Sequence, residues 1–426
     1  MRGIAGEELT AELAVALGRA AAAESPAERP QVLIARDTRE SGPMLESAFA
    51  AGVAQGGGDA WLAGILPSPA ASVLVRRHGL DLAAVVSASH NPWPDNGIKL
   101  FGPAGSKIDD AAERRIEAHV EAGLRPAGVG RIRELTGAQD DYLRELGSVF
   151  QTDLGGRGVV LDCANGATYR VAPLAFERLG AKVEAMAVEP TGRNINEGCG
   201  STHPEALAAR VREGEAEIGF AFDGDGDRVL AVDGEGIVRD GDELIALAAR
   251  HLQDAGALRG GVAVTVMSNF GFHRCMAEAG VDVATTPVGD RHVEAELSKR
   301  DWSLGGEQSG HIIWADYAPT GDGIAAAFLV MRALAAGADL AGAIPMTKVP
   351  QKLRNVRVAD RHRLGEASGL WDAVERENAG LAGRGRVLVR PSGTEPMVRI
   401  MVEGPDEAEC EATVERLAEI VQRELG

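Results

Sequence analysis

QVLIARDTRESGPMLESAFAAGVAQGGGDAWLAGILPSPAASVLVRRHGLDLAAVVS, residues 31–87, holds three short apolar runs separated by two helix-length amphipathic stretches. Residues 31–35, 60–62 and 82–87 read as strands, 43–55 and 69–78 as helices, and crossovers of that length are what parallel strands require. The segment therefore predicts one α/β layer system. The rhythm restarts with strand-like 158–163, 182–187 and 218–222 around helix-like 172–179 and 204–213. It restarts again with helix-like 241–252, 270–279 and 293–299 around strand-like 262–266 and 281–285. Three loosely similar blocks suggest internal duplication, although their sequences are too different to establish a repeat.

After Pro345 the order changes. Strand-like 353–358, 387–390 and 398–402, helix-like 365–377 and a long helix from about Asp406 suggest a smaller α+β domain. The expected boundaries give domains 1–134, 135–234, 235–347 and 348–426. Met1-Arg2-Gly3-Ile4 leads almost at once into a helix capped by Thr10, so the first block reads as lacking its initial strand, as a truncated or mis-assigned start would leave it.

Composition narrows the function. With 44 basic and 63 acidic residues the formal charge is −19, and no Lys/Arg run is interleaved with aromatics, so neither a nucleic acid nor an anionic membrane is an expected partner. Four scattered cysteines form no C-x-x-C pair and suit a reducing compartment. No signal peptide and no window of about 18 apolar residues is apparent, which places the protein in the cytoplasm.

Four polar segments interrupt this framework. In VVSASHNPWPDNGIKLFG, residues 85–102, Ser87, Ser89, His90 and Lys99 crowd into one loop after an apolar strand. Ser89 is not in a G-x-S-x-G elbow, and a serine beside a histidine is no triad, so alone the loop reads as a turn. In IGFAFDGDGDRVLAVDGEG, residues 218–236, Asp223, Asp225 and Asp227 alternate with glycines, and extended geometry would converge all three carboxylates. Their repulsion calls for a hard divalent cation; an EF-hand fails because Arg228 and Gly234 stand where its glycine and glutamate belong, leaving a polar turn as the alternative. LGGEQSGHI, residues 304–312, offers Glu307, Ser309 and His311 either to sugar hydroxyls or as a helix-capping loop. VRPSGTEPMVRIM, residues 389–401, combines Arg390, Ser392, Gly393, Thr394 and Arg399, the donor set a phosphate dianion requires. No Walker motif and no G-x-G-x-x-G after a strand is present, so nucleotide folds gain no support.

Together and in this order, SASHNP, DGDGDR, GEQSGH and RPSGTEP resemble the named loops of the α-D-phosphohexomutases, over essentially the whole chain. The resemblance implies three related α/β domains with mixed sheets plus a smaller C-terminal α+β domain around a central cleft. LDCANGAT, NINEGCGSTHPEAL and PVGDR are most similar to the amino-sugar branch of the family, which implies an isomerase interconverting glucosamine 6-phosphate and glucosamine 1-phosphate for UDP-N-acetylglucosamine synthesis. By the resemblance, Ser89 carries a phosphoryl group, and Asp223, Asp225 and Asp227 hold Mg²⁺ with an oxygen at Ser89. Lys99 and His311 are implied as acid and base, Arg228 as a screen for charge, His90 as an orienting group, and Arg2 as an active-site residue.

Glu307 and Ser309 would grip sugar hydroxyls, and Arg390, Ser392, Gly393, Thr394 and Arg399 the distal phosphate. Glucose or glucosamine 1,6-bisphosphate is the implied primer and intermediate; a kinase could also prime Ser89, and the protein is expected as a monomer or homodimer. Two alternatives stay open: a phosphomannomutase/phosphoglucomutase of the same family, and an inactive sugar-phosphate-binding relative.

Overall fold

The computed structural model describes residues 1–334, 337–392 and 395–426. Three of its sheets share one plan. Asp59–Ile65, Gln31–Arg36 and Leu82–Val86 lie parallel in that spatial order, and Asp95–Phe101 returns antiparallel beside the last. Lys182–Met186, Gly158–Asp162, Ile218–Phe222 and Val229–Asp233 repeat the arrangement, and so do Val283–Thr286, Val262–Thr265, Leu304–Gly306 and Ile312–Trp314. The blocks that looked loosely similar in sequence thus share strand order and strand direction.

The plan places the chemistry. In each sheet a buried apolar strand ends in a polar loop and the chain turns straight back as a hairpin, so the loop sits at a sheet edge on a rigid stem. Residues 87–94, 223–228 and 307–311 are those three loops. Hydrophobic burial holds the stems: Leu82, Ala84 and Val86 pack with Val32, Ile34, Phe49 and Ile98 in the first core.

The opening residues correct the sequence reading. Arg2–Ile4 forms a short strand that pairs antiparallel with Asp95–Phe101, extending the first sheet at that edge. The helix after it, Ala11–Glu24, begins as expected with the Thr10 side chain accepting the Leu13 N–H at 3.2 Å.

Gly323–Ala333 is a helix outside the strands and helices expected from the sequence, and residues 323–331 are buried on every face, which leaves no polar stripe to mark it. Its cap is Asp322, whose Oδ1 accepts the Ile324 and Ala325 N–H groups at 3.0 Å while Tyr142 donates its hydroxyl to Oδ2 at 2.8 Å. Full burial raises the pKa of Asp322 to about 6 despite these donors. A folded pKa above the unfolded 3.8 makes this group's contribution complete below pH 4 and progressively lost as pH rises through 6. Asp322→Asn, which keeps the cap, is therefore expected to match the wild type at pH 4 and exceed its stability by up to about 3 kcal/mol above pH 7, as chemical denaturation would show.

The chain divides into two compact units, Met1–Met267 with Asp282–Pro345, and Ser268–Val281 with Met346–Gly426. In the second unit Gln351–Arg357, Met397–Glu403 and Arg386–Pro391 form an antiparallel sheet in that order. Ser368–Leu381 and Glu407–Leu425 contribute to a core that contains Val356, Val398, Ile400, Leu417 and Val421. Among the described residues, no helix is long and apolar enough to cross a membrane.

Candidate active site

Within the first unit the loops converge. Ser89 has a φ of 53°, in the left-handed region that costs a residue with a Cβ about 1 kcal/mol or more. Its hydroxyl donates to Asp223 Oδ2 at 2.5 Å, and His90 Nδ1 lies 3.4 Å from Ser89 Oγ. Lys99 is not in the serine loop: it belongs to the return strand, opposite Val85, and its Nζ reaches Asp225 Oδ2 at 2.6 Å and Asp227 Oδ2 at 3.4 Å. Polarity had masked the strand, since Asp95, Asn96 and Lys99 lie in its seven residues.

The carboxylates of Asp223, Asp225 and Asp227 are buried, with one oxygen of each within 4.8 Å of the others. Ser68, at the start of the helix Ser68–Arg77, donates its hydroxyl to Asp225 Oδ2. Gly323 N–H bonds the Gly226 carbonyl at 3.0 Å, and a Cβ on Gly323 would lie 2.6 Å from the Arg228 carbonyl, so only glycine lets the helix start that close. Burial, then Asp227 and Asp225, pushes the Asp223 carboxyl well above its ordinary range. Burial also opposes the charge on Asp227, but Lys99, His311 and Arg228 outweigh it and hold this carboxyl well below the ordinary range.

This donor set fits a hard dication. Asp225 Oδ1 and Asp227 Oδ1 are buried without a hydrogen-bond partner, and a carboxylate oxygen left so is stabilised by a metal or a cation. Lys99 supplies part of that charge. Although burial works against its ammonium, Asp225 and Asp227 raise its pKa well above the ordinary value, so in this arrangement Lys99 stays charged and donates hydrogen bonds.

His311 closes the third side, completely buried at the end of the 307–311 loop. Its Nε2 accepts the Gly321 N–H at 3.2 Å, which assigns the imidazole proton to Nδ1, 3.8 Å from Asp227 Oδ1. Burial lowers its pKa, but Asp227 and Asp290 outweigh that and leave it raised. Glu307 Oε1 accepts the Gly289 N–H at 3.0 Å, and the loop is tied to the strand after the three aspartates by Val229 N–H on the Gly310 carbonyl. Ser309 lies exposed. Arg2, Ser89, Lys99, Asp227 and Arg228 line one cavity of about 380 Å³, together with Lys107, which the sequence reading had passed over. Lys107 is paired with Asp290 of the VGDR segment.

In the second unit Arg390 and Arg399 stand directly opposite each other on adjacent strands. Burial and the facing Arg399 lower the Arg390 pKa, a like-charge arrangement that an anion would relieve. Ser392 N–H bonds the Met397 carbonyl at 2.8 Å, and Arg361 donates to the Ser392 carbonyl at 2.8 Å. Gly393 and Thr394 lie outside the described residues.

Sequence reading also missed Asp37, Arg39 and Asn196, which surround the serine loop. The available signal was ARDTRESG, residues 35–42, where an aspartate and an arginine follow directly on a buried strand.

Residues 1–126, 140–236 and 240–347 match the profiles of phosphoglucomutase/phosphomannomutase alpha/beta/alpha domains I, II and III, and residues 353–420 that of the C-terminal domain. The chain is 48% identical to the phosphoglucosamine mutase of Mycolicibacterium smegmatis over 99% of this chain and 97% of that protein. A phosphoglucomutase/phosphomannomutase family protein from Burkholderia thailandensis has the same fold, with a TM-score of 0.84 and 26% identity over 99% of this chain and 96% of that one. The fold is shared more distantly, at a TM-score of 0.62 and 19% identity over 84% of this chain and 92% of that one, by an Aspergillus fumigatus N-acetylphosphoglucosamine mutase solved with GlcNAc-6P and magnesium.

Proposed function

Because the chain belongs to the phosphoglucomutase/phosphomannomutase family, whose four domains it carries in order, we propose that it is a phosphoglucosamine mutase interconverting glucosamine 6-phosphate and glucosamine 1-phosphate. The reading rests above all on the Ser89 hydroxyl set 2.5 Å from Asp223 inside a buried group of three carboxylates. A hydroxyl placed there is positioned to exchange a phosphoryl group beside a dication.

Asp223, Asp225 and Asp227, with the oxygen at Ser89, would hold one Mg²⁺, which supplies neutralisation of charge on the transferring phosphoryl group. In the working enzyme the Ser89 Oγ–P bond breaks as a sugar hydroxyl oxygen bonds phosphorus, and the product is the 1,6-bisphosphate. The hydroxyl proton goes to a base, and the departing Ser89 Oγ takes up a proton to become the free serine hydroxyl. After the sugar reorients, Ser89 Oγ gives up its proton to a base as it bonds the other phosphorus, the sugar O–P bond breaks, the sugar oxygen takes up a proton, and the isomeric monophosphate departs. Lys99, kept charged, donates toward the oxygens gaining negative charge, and Arg228 adds a second cation. His311 is the second acid/base candidate; both its nitrogens are engaged here, Nδ1 toward Asp227 and Nε2 by the Gly321 N–H, so passing a proton to or from the sugar oxygen requires one of these contacts to open. Glu307 accepts from sugar hydroxyls, and His90 orients the serine. The first phosphoryl group reaches Ser89 from a sugar bisphosphate or a protein kinase.

Arg390, Ser392 and Arg399, with Gly393 and Thr394, grip the phosphate that is not reacting. That contact is made in ground and transition states alike, so Arg390→Ala is expected to raise KM about 10–100-fold with kcat changed little, in a coupled assay. A pure loss of kcat would refute the anchor role. The substrate assignment is tested by comparing rates on glucosamine, glucose and mannose 1-phosphates with glucose 1,6-bisphosphate present. Glucosamine 1-phosphate is expected to be preferred, and a clear preference for glucose or mannose phosphate would instead assign a phosphoglucomutase or phosphomannomutase.

A further inference from the structure

Resting on the reading of Ser89 as phosphoryl carrier, we propose that Arg39 and Asn196 are positioning residues that hold the carrier loop in its reactive shape from two different domains. Arg39 is completely buried, and each of its five N–H groups has an acceptor. Nε bonds Asp37, Nη1 reaches the Pro92 and Asp95 carbonyls, and Nη2 reaches those of Ser89 at 2.9 Å and Asn91 at 2.8 Å. Asn196, more than one hundred positions further along the chain, sends its Nδ2 to the same two carbonyls at 2.9 and 3.2 Å. The carbonyl of Ser89 thereby accepts from both domains.

The amide of Ser89 is fixed as well. Ser87 Oγ accepts the Ser89 N–H at 3.0 Å and donates its own proton to Asp37 Oδ2 at 2.6 Å. With both its N–H and C=O tied, Ser89 is over-determined in a conformation that a free loop would leave, since a φ of 53° is unfavourable for a serine. Asn196 is itself left-handed, at a φ of 60°, and its N–H bonds the Ala164 carbonyl at 2.9 Å. The strap around Arg39 reaches the same region: Thr38 donates to the Asn165 carbonyl at 2.5 Å, and Glu40 pairs with Arg193 at 2.7 Å.

The chemistry needs this. In-line transfer requires Ser89 Oγ to point at the reacting phosphorus, and a misplacement near 1 Å costs on the order of 10²-fold. Lysine cannot substitute, because three donors on a point charge cannot serve four carbonyls and Asp37 together. It does keep a cation beside the buried Asp37 carboxylate, which Arg39→Ala would strand. Asn196→Gly removes the second clasp while tolerating the positive φ.

The test uses the full-length enzyme, Arg39→Lys, Asn196→Gly and the double variant. Phosphate uptake on Ser89 from glucose 1,6-bisphosphate is timed by intact mass, and kcat, KM and melting temperature are measured alongside. Each single variant is expected to slow uptake and kcat about 10–100-fold with KM within about threefold of the wild type. The double variant is expected to be at most about threefold worse than the slower single one, because both clasps act on the same two carbonyls. Uptake within about threefold of the wild type in both single variants overturns the proposal, and so do multiplicative losses accompanied by a matching rise in KM. If Arg39→Lys does not fold, Asn196→Gly decides alone by the same uptake criterion. A wild-type enzyme that takes no phosphate on Ser89 would overturn the carrier reading first, which separates the two failures.

Discussion

Ser89→Ala is expected to lose turnover by about 10⁴-fold or more and to show no phosphoryl mass increment after incubation with glucose 1,6-bisphosphate. The size of the effect follows from the site. Ser89 Oγ is the hydroxyl that touches Asp223, and the neighbouring Ser87 hydroxyl is already committed to Asp37 and the Ser89 amide. A rescue by Ser87 would require both bonds to break. Alanine keeps the backbone and its clasp, so melting temperature and phosphosugar KM should change little. An active Ser89→Ala enzyme would end the phosphoserine mechanism.

Asp223→Asn is expected to separate stability from function. Asp223 bears the repulsion of the carboxylate group, held well above its ordinary pKa by burial and by Asp227 and Asp225. Neutralising it relieves the metal-free fold, and the melting temperature measured in EDTA should rise by about 2–4 °C for each kcal/mol recovered. Added Mg²⁺ should then raise the melting temperature of the wild type and not of the variant, because a ligand stabilises only the state that binds it. Turnover should fall about 10³-fold or more. A variant that is less stable in EDTA, or that still responds to Mg²⁺, would show that the three carboxylates are a structural network and not a cation site.

The sequence made the parallel strands and the chemical loops readable for separate reasons. Ile218–Phe222 and Leu82–Val86 are short apolar runs buried throughout, a pattern that survives without context. Asp223, Asp225 and Asp227 are legible because three carboxylates in five residues have few structural excuses. The return strands were not legible: Asp95–Phe101 is half polar, and its extended shape depends on a partner that sequence alone does not pair with it. Lys99 was accordingly assigned to a loop. Arg39 and Asn196 escaped for a stronger reason. Their partners lie 50 and 107 positions away, so no local period or spacing encodes them.

The left-handed backbone at residue 89 also selects among alcohols. Phosphoryl transfer by itself would accept threonine as readily as serine, and many phosphate-carrying proteins use either. A β-branched side chain at a φ of 53° is a steric outlier, because its second γ substituent crowds the backbone on the side that this conformation closes. If Ser89 is the phosphoryl carrier as proposed, two independent filters act on one position, a chemical one that demands a hydroxyl and a conformational one that forbids branching. Among the amino acids with an aliphatic hydroxyl, serine alone passes both.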